Sequence, residues 1–272
     1  MKGNEAMALA AIEGGLDAFF GYPITPQNEI PEYLSYHLIK RNKIFVQAES
    51  EVAAINMVYG AAGAGARVMT SSSSPGIALK QEGISYLASA QLPCVIINVM
   101  RGGPGLGGIQ PSQADYFQIT RGGGNGDYRV LSYAPYNLQE AIDIIKESFS
   151  IADYYRNPVM IAVDGLMGQM MESVDFDKEI KMRKTEEKTW ATRTLKCNKQ
   201  HQVITSLYLD PAVLEQHNQT LQEKYSQIEK NETRYQASHL DDCDVVVVAY
   251  GTMARIAKSA IESAKQKGLK VG

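Results

Sequence analysis

The run Pro93-Cys-Val-Ile-Ile-Asn-Val-Met100 most constrains what this chain can become. It is apolar on both alternating faces and broken only at Asn98. It is far too short to span a bilayer, which takes roughly 20 residues. A strand of this kind belongs at the centre of a parallel sheet covered by helices on both sides. Pro158-Val-Met-Ile-Ala-Val-Asp164 repeats the pattern. Shorter strands are predicted at 17–22, 44–47, 67–71 and 128–132. Between them lie helical stretches at 4–13, 26–40, 51–65, 77–90 and 137–153. Alternation of this kind is the mark of an α/β fold built on a doubly wound parallel sheet.

Local signals set the boundaries. Gly14-Gly15 stops the first helix. Thr25 reads as an N-cap with Pro26 at the first helical position, and Pro31 restarts the helix. Ser50 caps the small-residue helix that begins at Glu51. Ser72-Ser-Ser-Pro-Gly76 reads as a turn that exposes backbone N–H groups ahead of a helix. In parallel sheets ligands bind outside the carboxyl ends of the strands. Thr25, Glu51, the Ser72–Gly76 turn and Arg101 each follow a strand, so they are expected to converge on one edge.

Each has an ordinary reading beside the functional one. An acid in a first helical turn is favoured by the helix dipole, so Glu51 needs no further explanation by itself, and Glu49 two residues earlier is the weaker candidate. Arg101 is either the first solvent-exposed residue after its strand or a guanidinium placed to grip a carboxylate with two hydrogen bonds. Gly103-x-Gly105-x-x-Gly108 formally matches a dinucleotide fingerprint, but Pro104 and Pro111 oppose the helix that motif must open. A flexible loop covering a substrate fits these glycines better. There is no Walker sequence and no HExxH, and the four histidines (His37, His201, His217, His239) lie away from strand ends, so no metal and no Ser-His-Asp set are expected.

Beyond residue 172 the strand signal fades. Residues 173–240 read as a connector containing a polar amphipathic helix that opens at Asp210-Pro211. Residues 241–272 read as the start of a second α/β unit, with a strand at 245–250, a helix at 253–266 and another strand from Leu269. Such a unit leaves apolar edges unpaired, so it is expected to be truncated or to dock on a partner. The net charge of −3 gives no basic footprint for nucleic acid. Cys94, Cys197 and Cys243 form no CxxC pair, which points to a reducing compartment and against an iron–sulfur cluster or structural zinc in this chain. Cys94 and Cys243 are expected as small buried hydrophobes. With no signal peptide and no membrane span evident, a cytoplasmic protein is expected.

Taken in order and spacing, the motifs Gly21-Tyr22-Pro23-Ile24-Thr25-Pro26, Glu49-Ser50-Glu51-Val-Ala-Ala54, Ser72-Ser73-Ser74-Pro75-Gly76 and Arg101-Gly-Gly-Pro104 become specific. The chain resembles the α subunit of 2-oxoacid:ferredoxin oxidoreductases. Met1–Glu5 and Val248–Arg255 are most similar to the branched-chain type, which acts on 2-oxoisovalerate (3-methyl-2-oxobutanoate), with the 2-oxoglutarate type a near competitor. The resemblance implies that residues 1–172 are a thiamine-diphosphate pyrimidine-binding fold and that 241–272 begin a transketolase C-terminal-like domain. It implies that Glu51 bonds N1′ of the cofactor's aminopyrimidine. Thr25 would stand near cofactor and substrate, Arg101 would hold the substrate carboxylate, and Tyr22, Pro23, Ser73, Pro75 and Gly76 would line the cofactor. Ser74 departs from the family, which often has Gly there. The reaction implied is oxidative decarboxylation of a 2-oxo acid to acyl-coenzyme A and CO2, with electrons passed to ferredoxin.

Neither Asn125-Gly-Asp-Tyr128 nor Val163-Asp-Gly165 fits the family's diphosphate-and-magnesium motif. Half the cofactor site, with Mg, is therefore expected on a β subunit, and the iron–sulfur clusters on a ferredoxin-like subunit. The whole is expected as a hetero-oligomer that is itself a dimer or larger. Two readings compete: a Rossmann-type enzyme that binds NAD(P) by itself, and a non-catalytic scaffold subunit.

Overall fold

The computed structural model describes residues 1–192 and 201–272. Its elements run α1 (Gly3–Glu13), β1 (Ala18–Gly21), α2 (Glu29–His37), β2 (Ile44–Gln47), α3 (Glu51–Gly63), β3 (Val68–Ser72), α4 (Ser74–Ser89), β4 (Cys94–Met100), α5 (Tyr116–Arg121), β5 (Leu131–Tyr133), α6 (Leu138–Tyr155), β6 (Pro158–Asp164), α7 (Gly165–Gln169), α8 (Pro211–Glu232) and α9 (Gly251–Gln266). The six strands form one sheet in the order β2-β1-β3-β4-β6-β5. All its pairings are parallel. The two apolar runs are neighbours at its centre, in register from Cys94 opposite Pro158 to Met100 opposite Asp164.

Apolar side chains from the two sheet faces build two cores. One gathers α1, α2 and α6 around Met7, Leu34, Ile142 and Phe149. The other packs α3 and α4 through Ile55, Val58, Ile77 and Ile84. From β1 the chain moves outward to β2, then returns to β3 on β1's other side. The connections after β1 and β3 thus leave toward opposite faces and open a crevice between those strand ends, the switch point where such sheets bind ligands.

Several local expectations need correction. Thr25 is not an N-cap: α2 begins at Glu29 behind Asn28, and Pro31 lies within its first turn. Residues 72–76 are not a turn, because β3 runs through Ser72 and α4 starts at Ser74 with Pro75 in its first turn. The short helices α5 and α7 have too few residues to show a period, and only the N-cap Asp164 marks one of them. The strand expected at 245–250 does not form. A bridge between Val245 and Val271 stands in its place, Val245 to Val248 are exposed, and among the described residues no further strand lies beside them. Cys94 is buried as expected, whereas Cys243 is only half-buried and donates to the Leu240 carbonyl. Cys197 lies outside the described residues. Among the described residues, no helix is long and apolar enough to cross a membrane.

The helix read as part of a connector, α8, packs onto the first core. Leu221, Tyr225 and Ile228 enter it at helical spacing, each stabilising the docked helix by about 2 kcal/mol at full burial. Its last residue, Glu232, is 2 % exposed and held by four groups. Tyr155 and Tyr133 donate hydroxyls at 2.9 and 3.1 Å, and Arg183 and Arg234 pair with the same carboxylate. Burial, with Glu232 adding to it, pushes the Tyr133 hydroxyl well above its usual range. Glu232→Ala leaves Arg183 and two phenols without their acceptor and Arg234 with Glu147 alone, and it is expected to cost about 3 kcal/mol in chemical denaturation, with protection of α8 lost first in hydrogen exchange.

Candidate active site at the strand ends

The crevice is floored by hydroxyls. Thr70, Ser71, Ser72 and Ser73 are fully buried and Ser74 nearly so, although β3 lies inside an apolar sheet. Buried hydroxyls need partners. Thr70 Oγ1 accepts from Lys80 at 2.6 Å. Ser71 donates to Gln27, whose amide in turn donates to the Tyr22 carbonyl at 3.2 Å. Ser74 exchanges hydrogen bonds with the Arg101 backbone, accepting from its N–H at 3.0 Å and donating to its carbonyl at 3.3 Å. Asn98 accepts from the Ser74 N–H at 3.2 Å, doing for α4 what the Ser73 side chain does not. Ser72 Oγ and Ser73 Oγ alone of this run have no partner.

Ser72 Oγ lies where Glu51 comes in. Ser50 caps α3 as expected, its hydroxyl accepting from the Ala53 N–H at 3.1 Å, a contact worth about 1 kcal/mol. This fixes the first turn and turns Glu51 inward, where it is 7 % exposed. Glu49 is exposed. No hydrogen bond reaches the Glu51 carboxylate among the described residues. It packs directly on α4: a Cβ on Gly76 would stand 2.1 Å from Ser72 Oγ and 2.9 Å from Glu51 Oε1. Gly76 is therefore required by close approach.

Arg101 is buried at 6 % exposure, which removes its reading as a first solvent residue. Its fork holds two carbonyls, Thr25 O at 2.8 Å and Leu106 O at 3.1 Å, while its Nε is buried without a partner. Thr25, Tyr22 and Pro23 are exposed at the rim, and Pro75 is half-buried. The Thr25 loop is pinned behind: Pro26 O accepts from Asn4 at 2.8 Å and Gln169 at 3.3 Å. Both amides also reach Glu29. Burial alone would raise the Glu29 carboxyl, but these bonds outweigh it and hold it below its usual range.

The glycine loop closes on itself: the Gly102 N–H donates to Gln110 O at 3.0 Å and the Gly108 N–H to Gly102 O at 2.9 Å. Gly107, at φ +60°, lies against the Gly102 carbonyl, where no side chain fits. No helix opens at Gly108, and α5 starts only at Tyr116, so the dinucleotide-fingerprint reading lacks its structural context.

The structure thus brings Thr25 and Arg101 into contact, joins Arg101 to the start of α4, and sets Glu51 against Gly76. Sequence reasoning missed Lys80, Gln27 and Asn98. Lys80 did carry a signal, because it occupies the apolar stripe of α4 between Ile77 and Ile84. Gly76→Ala, which helix propensity alone favours by about 0.5–1 kcal/mol, is expected instead to cost about 1–3 kcal/mol in urea denaturation because it overfills this contact.

Residues 9–237 match the family described as pyruvate flavodoxin/ferredoxin oxidoreductase, thiamine-diphosphate-binding. The chain is 50 % identical over its full length to a ketoisovalerate oxidoreductase subunit, VorB, of Methanothermobacter thermautotrophicus, covering 77 % of that relative. It is 35 % identical to the 2-oxoglutarate synthase subunit KorA of Methanocaldococcus jannaschii, again over its full length and 80 % of the relative. Among solved structures, a 2-oxoglutarate:ferredoxin oxidoreductase from Magnetococcus marinus, with 2-oxoglutarate, coenzyme A and succinyl-CoA bound, superposes with a TM-score of 0.86 at 27 % identity. The chain spans about half of that structure's chain, 52 %. With a family match running across most of its length and half its residues shared with VorB, the chain belongs to the thiamine-diphosphate-binding family of pyruvate flavodoxin/ferredoxin oxidoreductases.

Proposed function

We propose that this chain is the α-type subunit of a 2-oxoacid:ferredoxin oxidoreductase that oxidatively decarboxylates 2-oxoisovalerate to its acyl-coenzyme A. The observation that carries the reading is the Glu51 carboxylate at the crevice, which lies on Gly76 beside the orphan Ser72 hydroxyl and has no hydrogen-bond partner among the described residues. A carboxylate left without protein partners at a strand-end crevice is available to a ligand. The pyrimidine of thiamine diphosphate would supply a polar partner there, so the residues present fit that cofactor. When bound, the cofactor supplies the nucleophilic carbon and the electron sink for decarboxylation.

The remaining work falls to this chain's own groups. Glu51 holds or releases a proton at its carboxyl oxygens, toward the cofactor's ring nitrogen. Ser72 offers a hydroxyl beside it, and Tyr22, Pro23, Thr25, Ser73 and Pro75 line the approach. Arg101 turns its fork onto the substrate carboxylate, a bidentate contact that fixes the 2-oxo group's orientation. The loop from Gly102 to Gln110 covers the approach and excludes water. A β subunit brings the diphosphate and Mg, a ferredoxin-like subunit brings the iron–sulfur clusters, and the assembly works in the cytoplasm. Residues 1–172 form the pyrimidine-binding domain and 241–272 open a second one. The substrate branch rests on the 50 % identity to the ketoisovalerate subunit against 35 % for the 2-oxoglutarate subunit.

The test is co-expression with the partner subunits, followed by coenzyme A-dependent reduction of a viologen dye with 2-oxoisovalerate, 2-oxoglutarate and pyruvate in turn. 2-Oxoisovalerate is expected to give the highest kcat/KM, and a preference for 2-oxoglutarate overturns the branch. In the same assembly Glu51→Gln is expected to lower kcat by roughly 10²–10⁴-fold, as for loss of an acid–base group. Retained turnover would sink the reading and favour a scaffold role. Arg101→Lys keeps the charge but loses the fork. Its expected signature is a KM for the 2-oxo acid raised about tenfold or more, with the KM for coenzyme A unchanged.

A further inference from the structure

Lys80 is the one group near the crevice that the proposed chemistry leaves without a task. It is fully buried on α4. Its ammonium donates to Thr70 Oγ1 at 2.6 Å and to the Ser71 carbonyl at 3.3 Å. It makes no ion pair among the described residues. A structural lysine in such a place is a poor choice, because methionine fills the same stripe without desolvating a charge. The groups whose charge reaches it are Glu51 on α3 and Cys94 on β4. The Cys94 thiol is pushed up to about 12 by burial and stays neutral at physiological pH, which leaves Glu51 as the anion.

The geometry joins the two. Side chains two residues apart on a strand share a face. Thr70, which holds Lys80, and Ser72, which lies with Glu51 against Gly76, are two apart on β3. Lys80 and Glu51 therefore stand toward the two ends of one face of β3, with Thr70 bonded to Lys80 and the unpaired Ser72 hydroxyl beside Glu51.

We propose that Lys80 is a positioning residue for Glu51, the buried amine whose proton answers the charge on that carboxylate. The negative charge of Glu51 favours the charged form of Lys80, and the Lys80 ammonium in turn draws that carboxylate toward the Thr70–Ser72 face of β3. Burial draws the Lys80 amine down to about 7, against the pull of Glu51, so the residue that positions Glu51 changes charge near neutral pH. The pairing deepens the proposed function and rests on its reading of Glu51.

The test uses the protein assembled with its partner subunits, freed of thiamine diphosphate and labelled with carbon-13 at lysine Cε. The Lys80 resonance is assigned by its absence in Lys80→Arg. It is expected to titrate near 7, and in Glu51→Gln its midpoint is expected to fall by about one pH unit, since the neighbouring negative charge is gone. An unmoved midpoint, or a resonance that does not titrate around neutrality, overturns the pairing. In the cofactor-loaded complex, Lys80→Met is expected to shift the pH profile of kcat while Lys80→Arg keeps it. Equal profiles for Lys80→Met and the parent overturn the proposal. If Lys80→Met does not assemble, the Glu51→Gln titration decides alone. A lowered midpoint with turnover retained in Glu51→Gln refutes the cofactor-acid reading and leaves the pairing standing. Lost turnover with an unmoved midpoint refutes only the pairing.

Discussion

Five consecutive hydroxyl residues, Thr70 to Ser74, are buried along the end of the central strand β3 and the start of α4. A protein interior tolerates polar atoms only where neighbours satisfy them. The architecture around the strand end answers that demand. Lys80 reaches down from α4, Gln27 across from the β1–α2 loop, and Asn98 and Arg101 over from β4. The partners come from three different segments, so satisfying β3 fixes the relative positions of α4, the Thr25 loop and the start of the glycine loop. Two hydroxyls are left over, Ser72 and Ser73, and the first of them stands where the carboxylate of Glu51 enters.

The sheet's direction does the rest. Parallel strands put every carboxyl end on one edge, and the reversal between β1 and β3 opens that edge. The two central strands were legible in the sequence because burial on both faces leaves an unbroken apolar run. β6 came out with the bounds read from sequence, and β2 too, since Ser50 marks the helix that follows it. Arg101 was legible as a charge ending an apolar strand, though its burial was not.

What was not legible depends on long-range satisfaction. The serines of 72–74 read as a turn, because Ser-rich stretches with Pro and Gly usually are turns. Only the partners on β4, invisible in a local window, make them strand and helix. Thr25 read as a cap for the same reason: Thr-Pro fits a helix start, whereas here the loop is clamped by Asn4 and Gln169 from distant helices. The strand at 245–250 had a clear β-branched pattern and no sheet to join. Propensity proposes an element, and a neighbour has to accept it.

Arg101 bears one more consequence. Its Nη groups already clasp two backbone carbonyls, one on each wall of the crevice: Thr25 O on one side and Leu106 O on the other. Each Nη carries two N–H groups and the Nε–H has no partner, so the guanidinium keeps donors to spare while it joins the two walls. It is a tie-rod with open ends: the cation that draws the Thr25 loop to the glycine loop can take an anion without letting go of either.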